Sequence, residues 1–166
     1  MAKFTATHEI NCDVDTFLKL LLDKKFMEQM HQEGLGYAEY TVTEQQESDK
    51  QISRSVLADP RYQLPGPLTK LFGSGFRITE KGELDKATKT WRWTITPSTM
   101  ADKIRHEGTL RLEPIGADKV WRIIEEDYEA KIFGVGGLLE STMEKTRREE
   151  HDRTAAYINH HLSKRT

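Results

Sequence analysis

The stretch that most limits what this chain can fold into is its last. "GLLESTMEKTRREEHDRTAAYINHHLSK", from Gly137 to Lys164, contains no proline and is rich in helix formers. It predicts one unbroken helix, about 40 Å long at ~1.5 Å per residue. A helix of that length must lay its apolar side on a large partner. Ahead of it the chain offers mostly extended segments, so the partner is a sheet.

Those segments alternate with period two. "KFTATHEI" places Phe4, Ala6, His8 and Ile10 on one face. "NCDVDTFLKLLLD" then predicts a short helix capped by Asn11 or Asp13, with Val14, Phe17, Leu18, Leu21 and Leu22 at helical spacing. "KKFMEQMHQEG" predicts a second, stopping at Gly34. Three hairpins follow. "GYAEYTVTEQQ" pairs with "KQISRSVLA", "FRITEKGEL" with "TKTWRWTIT", and "IRHEGTLRLEPI" with "KVWRIIEEDYEAKIF". Between the first two pairs, "DPRYQLPGPLTKLFGSG" is broken by Pro60, Pro65 and Pro67 and predicts a loop with a short helix from Leu68 to Phe72. The order predicts an α+β chain: a curved antiparallel sheet wrapped around a long C-terminal helix, with two short helices after the first strand. No composition break divides residues 1–166, so one domain is expected.

Composition removes several functions. Lys and Arg total 25 against 27 Asp and Glu, a formal net charge of -2, so no basic field argues for nucleic acid. One cysteine, Cys12, leaves no disulfide framework. No apolar run approaches the ~20 residues of a membrane-spanning helix, and "MAKFTATHEI" lacks a signal peptide's apolar stretch. A cytoplasmic protein is expected, compatible with transient membrane contact. The oligomeric state is not legible.

"KIFGVGGLLESTMEK" raises a nucleotide question, since glycines ahead of a helix can cradle phosphate. Leu139 stands where a dinucleotide fingerprint needs its third glycine, no strand follows, and Glu140 and Glu144 would repel phosphate. The stretch therefore reads as a hinge turning the last strand into the helix, with Gly134, Gly136 and Gly137 allowing the turn. No spacing among the six histidines matches a metal motif, and His160 and His161 are expected to face water. Cys12 has no local partner for nucleophilic chemistry. No metal, cofactor or catalytic residue is predicted.

Polar residues on apolar faces are more telling. Arg122 and Glu126 share parity with Val120, Ile124, Tyr128 and Ala130; His106 with Ile104 and Leu110; Arg54 with Ile52 and Val56. Buried charges are costly unless paired or solvated. Either these faces line a wet or ligand-filled pocket, with Arg122 and Glu126 as a charged pair, or a β-bulge shifts the parity. On the last helix Leu139, Met143, Thr146, Arg147, Glu150, Thr154, Tyr157 and Ile158 fall within one broad arc whose middle is polar.

The order of elements, with "INCDVDTFLKLLLD" and the glycine-preceded terminal helix, resembles the START-like (SRPBCC, helix-grip) superfamily. "EGLGYAEY", "KLFGSGFRITEKG", "ATKTWRWTITPSTMADKIRHEGTLRLEPIG" and "EAKIFGVGGLLEST" look like an uncharacterised bacterial family within it. The resemblance implies a cavity between sheet and helix that holds a hydrophobic small molecule, lipid-like, sterol-like or polyketide-like, without catalysis. The residues expected to meet it are Arg54, Phe76, Trp91, Trp93, His106 and Arg122 on the strands and loop. Glu126 and Tyr128 on the last strand and Leu139, Met143 and Arg147 on the helix complete the set. Two alternatives stand beside this: a protein-interaction module using the sheet edge or charged helix, and a cyclase- or hydrolase-type enzyme using His106 with Glu126 or Arg122.

Overall fold

The structure is a computed structural model that describes residues 1–73 and 75–165. Seven antiparallel strands form one curled, unclosed sheet: β1 (Ala2–Ile10), β2 (Glu39–Glu47), β3 (Gln51–Asp59), β4 (Ile78–Asp85), β5 (Thr90–Pro97), β6 (Ile104–Ile115) and β7 (Lys119–Ala130). Their order is β1-β7-β6-β5-β4-β3-β2. Among the described residues only the β1–β7 pairing joins strands far apart in sequence; the other neighbours are successive strands.

Two short helices cross from β1 to β2. Asp13 caps α1 (Val14–Leu22) by accepting from the Thr16 amide, and Asp23 caps α2 (Lys24–Gln29) by accepting from the Phe26 amide. A π turn at Met30–Gly34 ends the pair. In the proline-rich loop, α3 (Gly66–Phe72) begins two residues earlier than expected, because Pro67 fits a helix's first turn. Leu68 and Phe72 anchor it to the interior.

The last helix, α4 (Gly136–Ser163), packs mainly on β1 and β7 and buries Leu139, Met143, Arg147, Glu150, His151, Ala155 and Ile158. The three glycines expected to allow the turn into it differ, and only Gly134 and Gly136 are required by their surroundings. Gly134 has φ +82°, a left-handed backbone. A side chain on Gly136 would overlap the Ala130 carbonyl oxygen, whereas Gly137 faces open space. Glu140 fixes the corner by accepting from the Ala130 amide at 2.9 Å. His161, expected toward water, instead packs on Phe26 with ring centroids 4.8 Å apart.

The parity of β7 holds along its length: Val120, Arg122, Ile124, Glu126, Tyr128 and Ala130 all point inward. The sheet does contain a bulge, but it falls between Val42 and Glu44 on β2, opposite Val56 and Ser55 of β3 and away from β6 and β7.

Candidate functional site

One row of residues crosses the sheet: Arg54 opposite Gly82, Gly82 opposite Trp93, Trp93 opposite Gly108, Gly108 opposite Glu126, and Glu126 opposite Phe4. The two glycines are needed here for space. A methyl group on Gly108 would overlap the Trp93 indole, and one on Gly82 would overlap Trp91. Both indoles therefore lie over bare backbone. The Trp91 face thus made available carries the Arg54 guanidinium, 4.6 Å from the ring centroid. Arg54 also donates to the Leu21 carbonyl oxygen of α1.

Glu126 is the hub of a buried polar network. Its Oε2 accepts from Arg147 Nε at 2.7 Å and meets His106 Nε2 at 2.5 Å; its Oε1 meets His151 Nε2 at 2.6 Å. Burial alone would raise this carboxyl. Arg147 and the two imidazole hydrogen bonds outweigh it and hold the acid well below the usual carboxylate range. Arg147 continues the network, donating to Glu150 Oε2 at 2.9 Å, which also accepts from the Tyr37 hydroxyl at 2.9 Å. Burial lowers both imidazoles, His151 to about 4, so each is neutral at pH 7. Burial raises Glu150.

Arg122 does not pair with Glu126. His151 stands between them, its Nδ1 3.5 Å from Arg122 and its Nε2 2.6 Å from Glu126. Arg122 instead donates to His151, at 3.3 Å to the carbonyl oxygen and 3.5 Å to Nδ1. Burial, then repulsion from Arg147, lowers its guanidinium to about 10. The expected charged pair on β7 is thus replaced by a sheet-to-helix pair, Glu126 with Arg147.

Two adjacent cavities lie between the sheet and its helices. The larger, about 100 Å³, is lined by apolar residues of α1, the sheet and α4, and receives Arg54, Glu80, Trp91, Trp93, Arg122 and Arg147. The smaller, about 20 Å³, holds Phe76, His106, Tyr128, Leu139 and Met143 beneath α3. Ile78 and Ile95 border both. The β5–β6 register ends at Thr94 opposite Glu107, and Ile95, Pro97, Ile104 and His106 beyond it line the smaller space. A third hollow, about 890 Å³, is on the outward face of the sheet among Lys81, Glu83, Arg92 and Glu107.

Ten of the eleven expected residues therefore border one of the two inner cavities. Glu126 lies beside them, 1% exposed, its oxygens spent on the network. Glu80, Tyr37, His31 and His151 join the site from outside the expected set. Glu80 shares the inward parity of Ile78 and Leu84, a signal available in "FRITEKGEL". Burial raises its carboxyl. His31 is a turn residue whose ring stacks on Tyr40 at 3.6 Å, which no periodicity reveals.

Cys12 is buried, and burial together with the Asp13 charge pushes its thiol up to about 11. Among the described residues no group of three His, Cys, Asp or Glu side chains could hold a metal ion. No helix among them is long and apolar enough to cross a membrane.

Similar architectures occur in solved structures. An aromatase/cyclase from a Streptomyces species matches over 97% of this chain and 95% of its own, at 12% identity and TM-score 0.66. A START superfamily protein from Mycobacterium smegmatis matches over 95% and 97%, at 12% identity and TM-score 0.61. Norcoclaurine synthase from Thalictrum flavum, solved with dopamine and hydroxybenzaldehyde, matches over 96% and 87%, at 12% identity and TM-score 0.60. These likenesses establish the helix-grip fold of START-like proteins. No curated protein matches the chain by sequence. A family model does match it, over residues 5–162, and the chain belongs to that family, DUF2505, whose members are of unknown function.

Proposed function

We propose that the protein binds a small, largely apolar molecule between its sheet and α4, without transforming it. One observation carries this reading: the 100 Å³ cavity is walled by Phe17, Leu20, Leu110, Ile124 and Ile158, yet admits a few fixed polar groups. Ligand sites have that make-up. The solved neighbours with this architecture include an enzyme held with two small aromatic molecules. The cavity is below the ~150 Å³ that accommodates benzene in an engineered core. Any ligand of benzene's size or larger, from a simple aromatic acid to a lipid, sterol or polyketide, would therefore require α3 and its loop to swing away, joining the two cavities across Ile78 and Ile95.

The test is native mass spectrometry after exposure to pooled lipid and metabolite extracts. A one-to-one adduct is expected, and it should vanish in Ile95→Phe, which fills the border between the cavities. An adduct retained in that variant, with the fold intact by near-ultraviolet circular dichroism, would place the ligand elsewhere and refute the reading.

A second reading rests on the contact between His106 and Glu126. An ionised carboxylate at Nε2 orients a neutral imidazole that borders an apolar space, a combination suited to general base catalysis. Turnover of a bound molecule that is lost in His106→Ala, with binding retained, would establish it over simple binding.

A further inference from the structure

We propose that the bound molecule is an organic acid with an apolar body, its carboxylate held by the Arg122 guanidinium. This deepens the ligand-binding reading and rests on it. Arg122 is 2% exposed and borders the larger cavity. Its two hydrogen bonds go to neutral acceptors of one residue, His151, at 3.3 and 3.5 Å. A guanidinium carries five N–H donors, so most of its capacity is uncommitted.

Among the described residues, no carboxylate lies within ion-pair distance of Arg122. Asp152 acts on it through its field but beyond ion-pair distance, its side chain 72% exposed and bound to His8 at 2.7 Å. Glu126 lies across the His151 ring from it, and three donors already occupy that carboxylate.

The other arginines of the cavity differ. Arg147 holds two carboxylates. Among the described residues Arg54 has no carboxylate within ion-pair distance and a buried Nε without a partner, but it rests on the Trp91 face, donates to the Leu21 carbonyl and feels the field of Glu80. A buried cation with no direct anionic partner is costly to fold around. A ligand carboxylate would supply the missing partner, in the two-pronged geometry that a guanidinium favours. Phe17, Leu20, Leu110, Ile124 and Ile158 wall the same cavity and suit an apolar body for the acid.

The experiment compares benzoate with its neutral isostere benzamide by ligand-observed NMR titration at pH 7.5. The proteins are the wild type, Arg122→Leu, Arg122→Lys and Arg54→Leu. The wild type should bind benzoate at least tenfold more tightly than benzamide. Arg122→Leu should bind benzamide unchanged and lose the preference for the acid. Arg122→Lys should keep part of it, and Arg54→Leu most of it. Arg122→Leu should also melt no lower than the wild type, since it removes a buried unpaired charge; should it fail to fold, Arg122→Lys decides. Equal binding of acid and amide by the wild type would overturn the proposal while leaving the cavity a ligand site. So would a preference that survives in Arg122→Leu. No saturable binding of either probe would count against the ligand site itself, and the proposal would fall with it.

Discussion

The Glu126 carboxylate on β7 and the Arg147 guanidinium on α4 meet at 2.7 Å with both groups buried. They are 21 residues apart in sequence and tie the gripped helix to the sheet through charge as well as apolar packing.

Breaking that tie should be expensive, because each partner would be left charged in a dry interior. Glu126→Leu is expected to lower the unfolding free energy by about 3–5 kcal/mol. Urea denaturation followed by circular dichroism measures it. A loss near zero would mean that Glu150 alone satisfies Arg147.

The hinge glycines should separate cleanly. Gly136→Ala drives a methyl group into the Ala130 carbonyl oxygen and should destabilise the fold. Gly137→Ala meets nothing within 4 Å and lies in the first turn of α4, so it should be neutral or stabilise by up to about 1 kcal/mol. Thermal melts of the two variants decide. Equal losses at both positions would refute the distinction.

Gly82→Ala and Gly108→Ala should each displace an indole, of Trp91 and Trp93 respectively. Overpacking of this kind costs about 1–3 kcal/mol. The near-ultraviolet circular dichroism of the tryptophans should change in both. Gly82→Ala should also disturb Arg54, which rests on the Trp91 face.

Acid should find the buried histidines. Burial lowers His31 to about 3 and His151 to about 4, both below the ordinary 6.5. The unfolded chain therefore takes up protons that the folded one refuses. The stability these rings contribute is complete above pH 6.5 and is lost as pH falls from there through 4 and then 3. Glu80 and Glu150, raised by burial, act in the opposite direction at the acid end, because folding makes them better proton acceptors. Replacing His151 with Asn should reduce the slope of stability against pH near pH 5 by about 1.4 kcal/mol per pH unit, one proton's worth. NMR titration provides the direct check: a His151 ring that protonates near pH 6.5 would contradict its burial.

Much of the fold is written locally. The alternation in "KVWRIIEEDYEA" fixes which side of β7 faces in, because successive side chains on a strand must point to opposite faces. Asp13 announces α1 by capping it, and the proline-free tail announces α4. Even the inward charges Arg54, His106, Arg122 and Glu126 were legible, as polar residues on otherwise apolar faces.

What that alternation could not supply was the partner of each charge. Strand periodicity says that Arg122 and Glu126 look the same way; it cannot say that a helix brings Arg147 to one and only His151 to the other. Nor could it anticipate that Glu150 and His151, adjacent in sequence and about 100° apart around the helix, would both be buried. The curled sheet embraces a wider arc of α4 than a flat one would. Sequence by itself determined the elements, their order and their inward faces, since these follow from local sterics and apolar burial. Only the tertiary structure decided the charge partners, the small size of the cavity and the isolation of Arg122, since these depend on distances between segments far apart along the chain.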